Sequence, residues 1–360
     1  MQTRTLGRTG LTVGVIGLGT EYLLDVPRGT VVSVVRQAVA AGVNYFDVLF
    51  AQPHYLDNLG AAFQGLREKI LITGHLGSAV QDGQYRRSRD VRECEELFHD
   101  LLRRLGTEYV DVAFLSNCDE QADYERVMGP GGLGELAVRL QREGQARFIG
   151  LSGHQVPVAS KAVASGVVDV LMHSLNLSGD ATPGRKQLYH ACAAQGVGLI
   201  AMKPFAGGSL LQNGTAVPPT PVQCLSYALS QPAVATVVPG VKDPSELEAA
   251  LAYLDASEQE RDFSAVVGRF QRDTQGRCVY CNHCLPCPAG IDVGKTIRLS
   301  DSARHGVSAA LAEEYAALPA GASACLECGD CMERCPFQVD VISKMRQAAR
   351  VFERNASRPL

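Results

Sequence analysis

VVSVVRQAVAAGVNYFDVLF, residues 31–50, contains one helical segment, one glycine-centred turn and one strand. Val31, Val34, Val35, Ala38 and Val39 recur at the three- and four-residue spacing of a helix face, and Gly42 follows as a stop. Tyr45–Phe50 is then almost continuously apolar, as a strand buried on both faces must be, with the single carboxylate of Asp47 inside it. The same unit repeats outward. Candidate strands are VGVIGLGT, YFDVLF, ILITGHLG, VDVAFLSN, RFIGLSGH, VLMHSLNL, GLIAMKP and ATVVPG, and between them lie helical stretches such as VRECEELFHDLLRRLG, LGELAVRLQREG and PSELEAALAYLD. Eight strand–helix alternations before residue 260 predict an α/β fold, a (β/α)8 TIM barrel over residues 1–260, a length that suits the usual ~250 residues of such barrels. Its active-site mouth is built at the C-terminal ends of the strands, which selects Asp47, His75, Ser116, Asn117, Ser152, His154, Asn176, Lys203 and Lys242.

Composition sets the surroundings. With 360 residues, 46% of them hydrophobic, the chain can bury one large core or two smaller ones. A net charge of −4 gives no basic field for nucleic acid or anionic lipid, and no apolar run is long enough for a membrane span or signal segment. The expectation is a cytoplasmic protein acting on a small molecule, in a compartment where clustered cysteines are metal ligands rather than disulfides.

Of twelve cysteines, Cys94, Cys118, Cys192 and Cys224 are scattered in apolar neighbourhoods and read as small buried hydrophobes. The other eight fall in two groups. CLECGDCMERCP places Cys325, Cys328, Cys331 and Cys335 at the C-x2-C-x2-C-x3-C-P spacing of two-cluster bacterial ferredoxins. CVYCNHCLPCP places Cys278, Cys281, Cys284 and Cys287 likewise, with the last gap one residue shorter. Three thiolates of a short loop face one cube, while the fourth, beside its proline, reaches the other. The pattern predicts Cys278, Cys281, Cys284 and Cys335 on one 4Fe-4S cluster and Cys325, Cys328, Cys331 and Cys287 on the second. Structural zinc is the competing reading, but it takes ligands in two pairs rather than two even quartets. Residues 261–360 are therefore expected to form a small, mostly helical ferredoxin-type domain.

RTLGRTGLTVGVIGLGT, NYFDVLF, FIGLSGH, AMKPFAGGSL and VVPGVKDPSELEAAL, in this order, resemble the aldo/keto reductase family over about residues 3 to 254, and the tail resembles the branch of that family with a C-terminal ferredoxin-type domain. The resemblance implies an NAD(P)H-linked oxidoreductase with an Asp, Tyr, Lys, His tetrad at the barrel mouth. Asp47 keeps the aspartate position. Gln52 stands where the tyrosine is expected, His75 where the lysine is expected and Ser116 where the histidine is expected. Gln52 cannot ionise, so another group must protonate the developing alkoxide; His75, Tyr55 and His54 are the candidates, histidine because it titrates near neutral pH.

For a nucleotide, Ser152, His154 and Asn176 resemble the positions that hold the nicotinamide amide, while Lys203 and Gly207 belong to the loop over the pyrophosphate. Gly240 and Lys242 belong to the eighth-strand phosphate segment. Glu246 falls where an arginine for the 2′-phosphate is common, and Ala249 and Ala250 replace a polar pair. A carboxylate there repels a phosphate, which argues against NADP(H) and leaves NAD(H), a flavin or no nucleotide open. Hydride carriers move two electrons together and a 4Fe-4S cluster one, so a flavin, a tolerant substrate or a redox protein partner has to mediate, unless the clusters serve only as staples. The sequence thus supports an oxidoreductase on a carbonyl or sugar-like substrate; a non-redox lyase or isomerase using Asp47 and His75, and a non-catalytic electron-transfer subunit, are the alternatives.

Overall fold

The computed structural model describes residues 1–179, 182–211, 218–267, 276–278, 280, 282–303, 306–335 and 337–353. Its central sheet has eight parallel strands: Leu18–Gly19, Tyr45–Val48, Leu71–Leu76, Val110–Leu115, Ala146–Gly153, Val170–Ser174, Gly198–Met202 and Val234–Val238, here the first to eighth barrel strands. Each pairs with the next in sequence. The first and eighth close the ring through parallel bridges Ile16 to Val237 and Gly19 to Gly240, with Gly17 N–H donating to Val237 O at 2.9 Å. All eight strand segments expected from the sequence are present, and the fold is the (β/α)8 barrel.

One segment differs. VGVIGLGT divides between two sheets, because Thr12–Gly14 pairs antiparallel with Thr3–Thr5 across the barrel's N-terminal end, and only Leu18–Gly19 continues into the barrel. That hairpin brings Leu6, Leu11 and Val13 to Tyr45, Phe114, Met172 and Ile200, so the interior is filled with side chains rather than hollow. A second hairpin, Ser78–Gln81 with Gln84–Arg87, follows the third barrel strand.

The helices form for local reasons that agree with the packing. In Val91–Leu105 the Asp90 carboxylate accepts the Glu93 N–H, Gly106 ends the helix at φ 66°, and Cys94, Phe98, Leu101, Leu102 and Leu105 form the buried face. After residue 276 a separate apolar cluster gathers Ile291, Val293, Ile297 and Leu299 against Val341, Met345 and Ala348, with six of the described cysteines partly buried around it among other side chains. Helices Val293–Ser302 and Val341–Phe352 carry half of the buried residues of this cluster, and each starts on an aspartate cap, Asp292 and Asp340. No helix among the described residues is long and apolar enough to cross a membrane.

Candidate functional site

A cavity of about 480 Å3 opens at the C-terminal ends of the barrel strands. Asp47, from the second strand, and His75, from the third, stand at its wall, each more than nine-tenths buried. Asp47 Oδ1 accepts from Thr73 Oγ1 at 2.7 Å and lies 2.9 Å from His75 Nε2. With a carboxylate as its partner Nε2 is the donor, and Nδ1 is buried with no partner among the described residues. Phe114 stacks on the imidazole with ring centroids 5.1 Å apart and holds its plane.

Tyr55 is not brought to this cavity. Its hydroxyl is fully buried against Thr20 Oγ1, and its pKa is raised well above the ordinary phenol value, chiefly by burial. His54 points elsewhere too, its Nε2 lying 3.0 Å from Leu24 O. Gln52 is buried at the start of helix Pro53–Phe63, with Oε1 unpartnered among the described residues. Ser116 is likewise buried and does not line the cavity.

The positions read as nucleotide-binding do converge on the cavity, except Asn176, which sits just behind its wall. Asn176 donates to Lys203 O at 3.0 Å and accepts from Ser178 Oγ at 2.7 Å, so both ends of its amide are engaged inside the protein. Ser152 Oγ accepts the Asn117 N–H at 3.2 Å. Lys203, at φ 56°, donates from Nζ to Tyr280 O at 3.2 Å. Gly207, at φ 66°, has the Tyr280 ring so close that a Cβ would meet it at 2.1 Å. Gly240 carries the Tyr22 ring in the same way, at 2.2 Å. Lys242 Nζ lies 3.4 Å from Glu246 Oε1, and Glu246 Oε2 also accepts the Lys242 N–H at 3.0 Å. The one lysine of that segment is thus paired with the neighbouring carboxylate, with Ala249 and Ala250 beside it at the cavity wall.

The roof of the cavity comes from the tail, which the sequence did not reveal. Tyr280, Asn282, Asp292, Lys295 and Arg298 line it. Tyr280 and Asn282 flank Cys281 in the first cysteine group, both with positive φ, so the cluster loop itself faces the barrel mouth. Gln84 of the second hairpin grips the same group, its side-chain amide exchanging hydrogen bonds with Cys287 O at 3.2 Å and Cys287 N at 3.3 Å.

Asp119 and His283 were also missed, although a histidine inside a C-x2-C loop is a visible signal. Arg89 pins the loop after the fourth strand, donating to Ser116 O at 2.9 Å and to Asp123 Oδ2 at 2.7 Å. Asp119 is thereby turned inward. His154 and Gln155 backbone N–H groups both donate to its Oδ1, and its Oδ2 lies 2.8 Å from His154 Nδ1 and 2.9 Å from His283 Nε2. Burial alone would raise the Asp119 pKa, but the two histidines hold it well below the usual carboxylate range. Burial pushes His154 down to about 4, so at neutral pH it is uncharged.

Cys287, Cys325, Cys328 and Cys331 line one small cavity, and the Cys331 thiol is raised first by burial and then by its neighbours Cys325, Cys328 and Cys287. Four thiols around one void, three of them disfavouring ionisation of the Cys331 thiol, make the donor set of a cationic cluster core. Cys278, Cys284 and Cys335 pack against the same tail core, and Gly276 N–H donates to Phe337 O at 2.7 Å, joining the start of the first group to the end of the second. Cys281 lies outside the described residues.

The family model for the aldo/keto reductase family matches residues 11–223, and that for a 4Fe-4S dicluster domain matches residues 274–339. L-galactose dehydrogenase of Arabidopsis thaliana is 26% identical over 230 residues, 59% of this chain and 68% of that protein. L-glyceraldehyde 3-phosphate reductase of Escherichia coli (strain K12) is 25% identical over 229 residues, 58% of this chain and 63% of that one. Among solved structures, aldo-keto reductase AKR11C1 from Bacillus halodurans (holo form) superposes with a TM-score of 0.63 at 21% identity, covering 76% of this chain and 97% of its own, a likeness of fold.

Proposed function

The chain belongs to the aldo/keto reductase family, and from that premise we propose that it interconverts a carbonyl group and an alcohol on a small sugar-like substrate in the cavity between barrel and tail. The observation that carries this reading is the Asp47–His75 pair at the wall of a cavity roofed by a cysteine loop of the tail. The sugar-like class is drawn from the relatives named for galactose and glyceraldehyde 3-phosphate.

His75 supplies the acid–base function. With Asp47 against Nε2, the imidazole at the cavity wall takes the hydroxyl proton as an alcohol becomes a carbonyl, while the carbon-bound hydrogen and two electrons would leave together as hydride to an oxidised flavin; in reverse the imidazolium returns the proton. Asp47 stabilises the imidazolium so formed, and Thr73 keeps the carboxylate oriented. Tyr280, Asn282 and Phe50 cover the site and exclude water from the reacting carbon. When bound, the two 4Fe-4S clusters supply or accept electrons one at a time, held by Cys278, Cys281, Cys284 and Cys335 and by Cys287, Cys325, Cys328 and Cys331. A flavin would pass its electron pair to the clusters singly and a redox protein partner would exchange those electrons with the cell, and the nucleotide that fits this cleft least is NADP(H).

The test uses anaerobically purified, chemically reduced holoprotein mixed with a panel of aldoses, ketoses and simple aldehydes. One class should restore the visible absorbance of the oxidised clusters, and His75→Ala should slow that step at least about a hundredfold, the usual worth of a general acid–base group. A panel that leaves the absorbance unchanged in the wild type overturns the redox reading. Rearrangement or elimination of a panel member without any redox change would identify a lyase or isomerase instead.

A further inference from the structure

Asp119, His154 and His283 come from three distant parts of the chain: the loop after the fourth barrel strand, the end of the fifth, and the cysteine loop of the tail. One ligand atom from each lies within 4.8 Å of the others, and all three residues are buried. The Asp119 carboxylate is an ionised group with 0% of its side chain exposed, and no lysine or arginine among the described residues pairs with it. Two backbone N–H groups satisfy Oδ1, and Oδ2 faces one ring nitrogen of each histidine, His154 Nδ1 and His283 Nε2. A buried charge is retained when it is paired or coordinates a metal.

From this geometry we propose a third metal site: Asp119 Oδ2, His154 Nδ1 and His283 Nε2 bind one divalent first-row transition ion, zinc or iron(II), at the seam between barrel and tail. Two histidines and one carboxylate are a recognised donor set for such ions. Magnesium and calcium prefer all-oxygen ligands and fit poorly. Since one ligand belongs to the tail and two to the barrel, the ion fastens the cysteine loop over the cavity. His154 also lines that cavity, so the ion fixes its ring at the wall.

Elemental analysis of the anaerobically purified holoprotein, with acid-labile sulfide counted in parallel, tests this. Cluster iron matches cluster sulfide one for one, so a third site appears either as about one zinc per chain or as about one iron per chain beyond sulfide. Asp119→Asn should lose that ion while sulfide and the visible cluster absorbance persist. His283→Gln is the second variant should Asp119→Asn fold poorly, with the same loss expected. Wild-type protein containing no divalent metal beyond the cluster iron overturns the proposal, as does an extra ion held equally by both variants, which would place it elsewhere.

Discussion

In the fourth barrel strand, Val110–Leu115, all six side chains are buried between the packed interior and the helical shell; in the tail, twelve fully buried apolar residues, with cysteines among the side chains around them, make up the described core. Both regions are helical on the outside and capped by aspartates, yet only the barrel has layers of apolar side chains on both faces of its sheet. A small core cannot offset the conformational entropy of ordering its chain, and metal ligation closes that gap. The barrel is therefore held by packing and the tail by its ligands.

Stripping the iron should break this comparison most visibly. Removal of the clusters by chelator, or Cys331→Ser on the second quartet, is expected to unfold the tail while the barrel stays folded, because ligand binding is folding free energy for such a unit. Limited proteolysis followed by mass spectrometry should return a protected barrel fragment; a tail that resists protease without iron would show that its apolar core suffices. Leu59→Ala is the converse perturbation, a fully buried leucine of the barrel shell. It should cost about 3 kcal/mol through lost burial and an unfilled cavity, lowering the denaturant midpoint of the barrel without altering cluster absorbance under native conditions. The smallest effect is a matched pair. Asp90→Ala and Asp340→Ala each remove a side chain that caps a helix, at 2.9 Å to Glu93 N and 3.0 Å to Ser343 N, and each should cost about 1 kcal/mol. Hydrogen exchange should register local opening in the tail helix of Asp340→Ala when iron is limiting and little change in the barrel helix of Asp90→Ala.

The barrel was legible because its strands are unbroken apolar runs separated by helix-period segments, a pattern in which each unit is specified locally. VGVIGLGT was read as one strand because propensity cannot show that its first half pairs with Thr3–Thr5 and its second half with the barrel. The cysteine groups were equally legible, since ligand spacing is a local constraint on the chain. Asp47 and His75 lie at strand ends, and the architecture alone directs them to one mouth. Tyr55 was close to them in sequence, but its helix phase buries the hydroxyl on Thr20. Asp119 and His283 are separated by more than half the barrel, and nothing local ties them together.

The sequence by itself determined the two architectures and the cysteine quartets, because periodicity and ligand spacing are properties of short stretches. Only the tertiary structure decided that the first cysteine loop roofs the cavity, that Tyr280 presses on Gly207, and that one buried carboxylate meets one histidine of the barrel and one of the tail. Those contacts depend on how two independently specified units are docked, and burial of charge and close packing across that seam act between residues whose separation along the chain carries no trace of it.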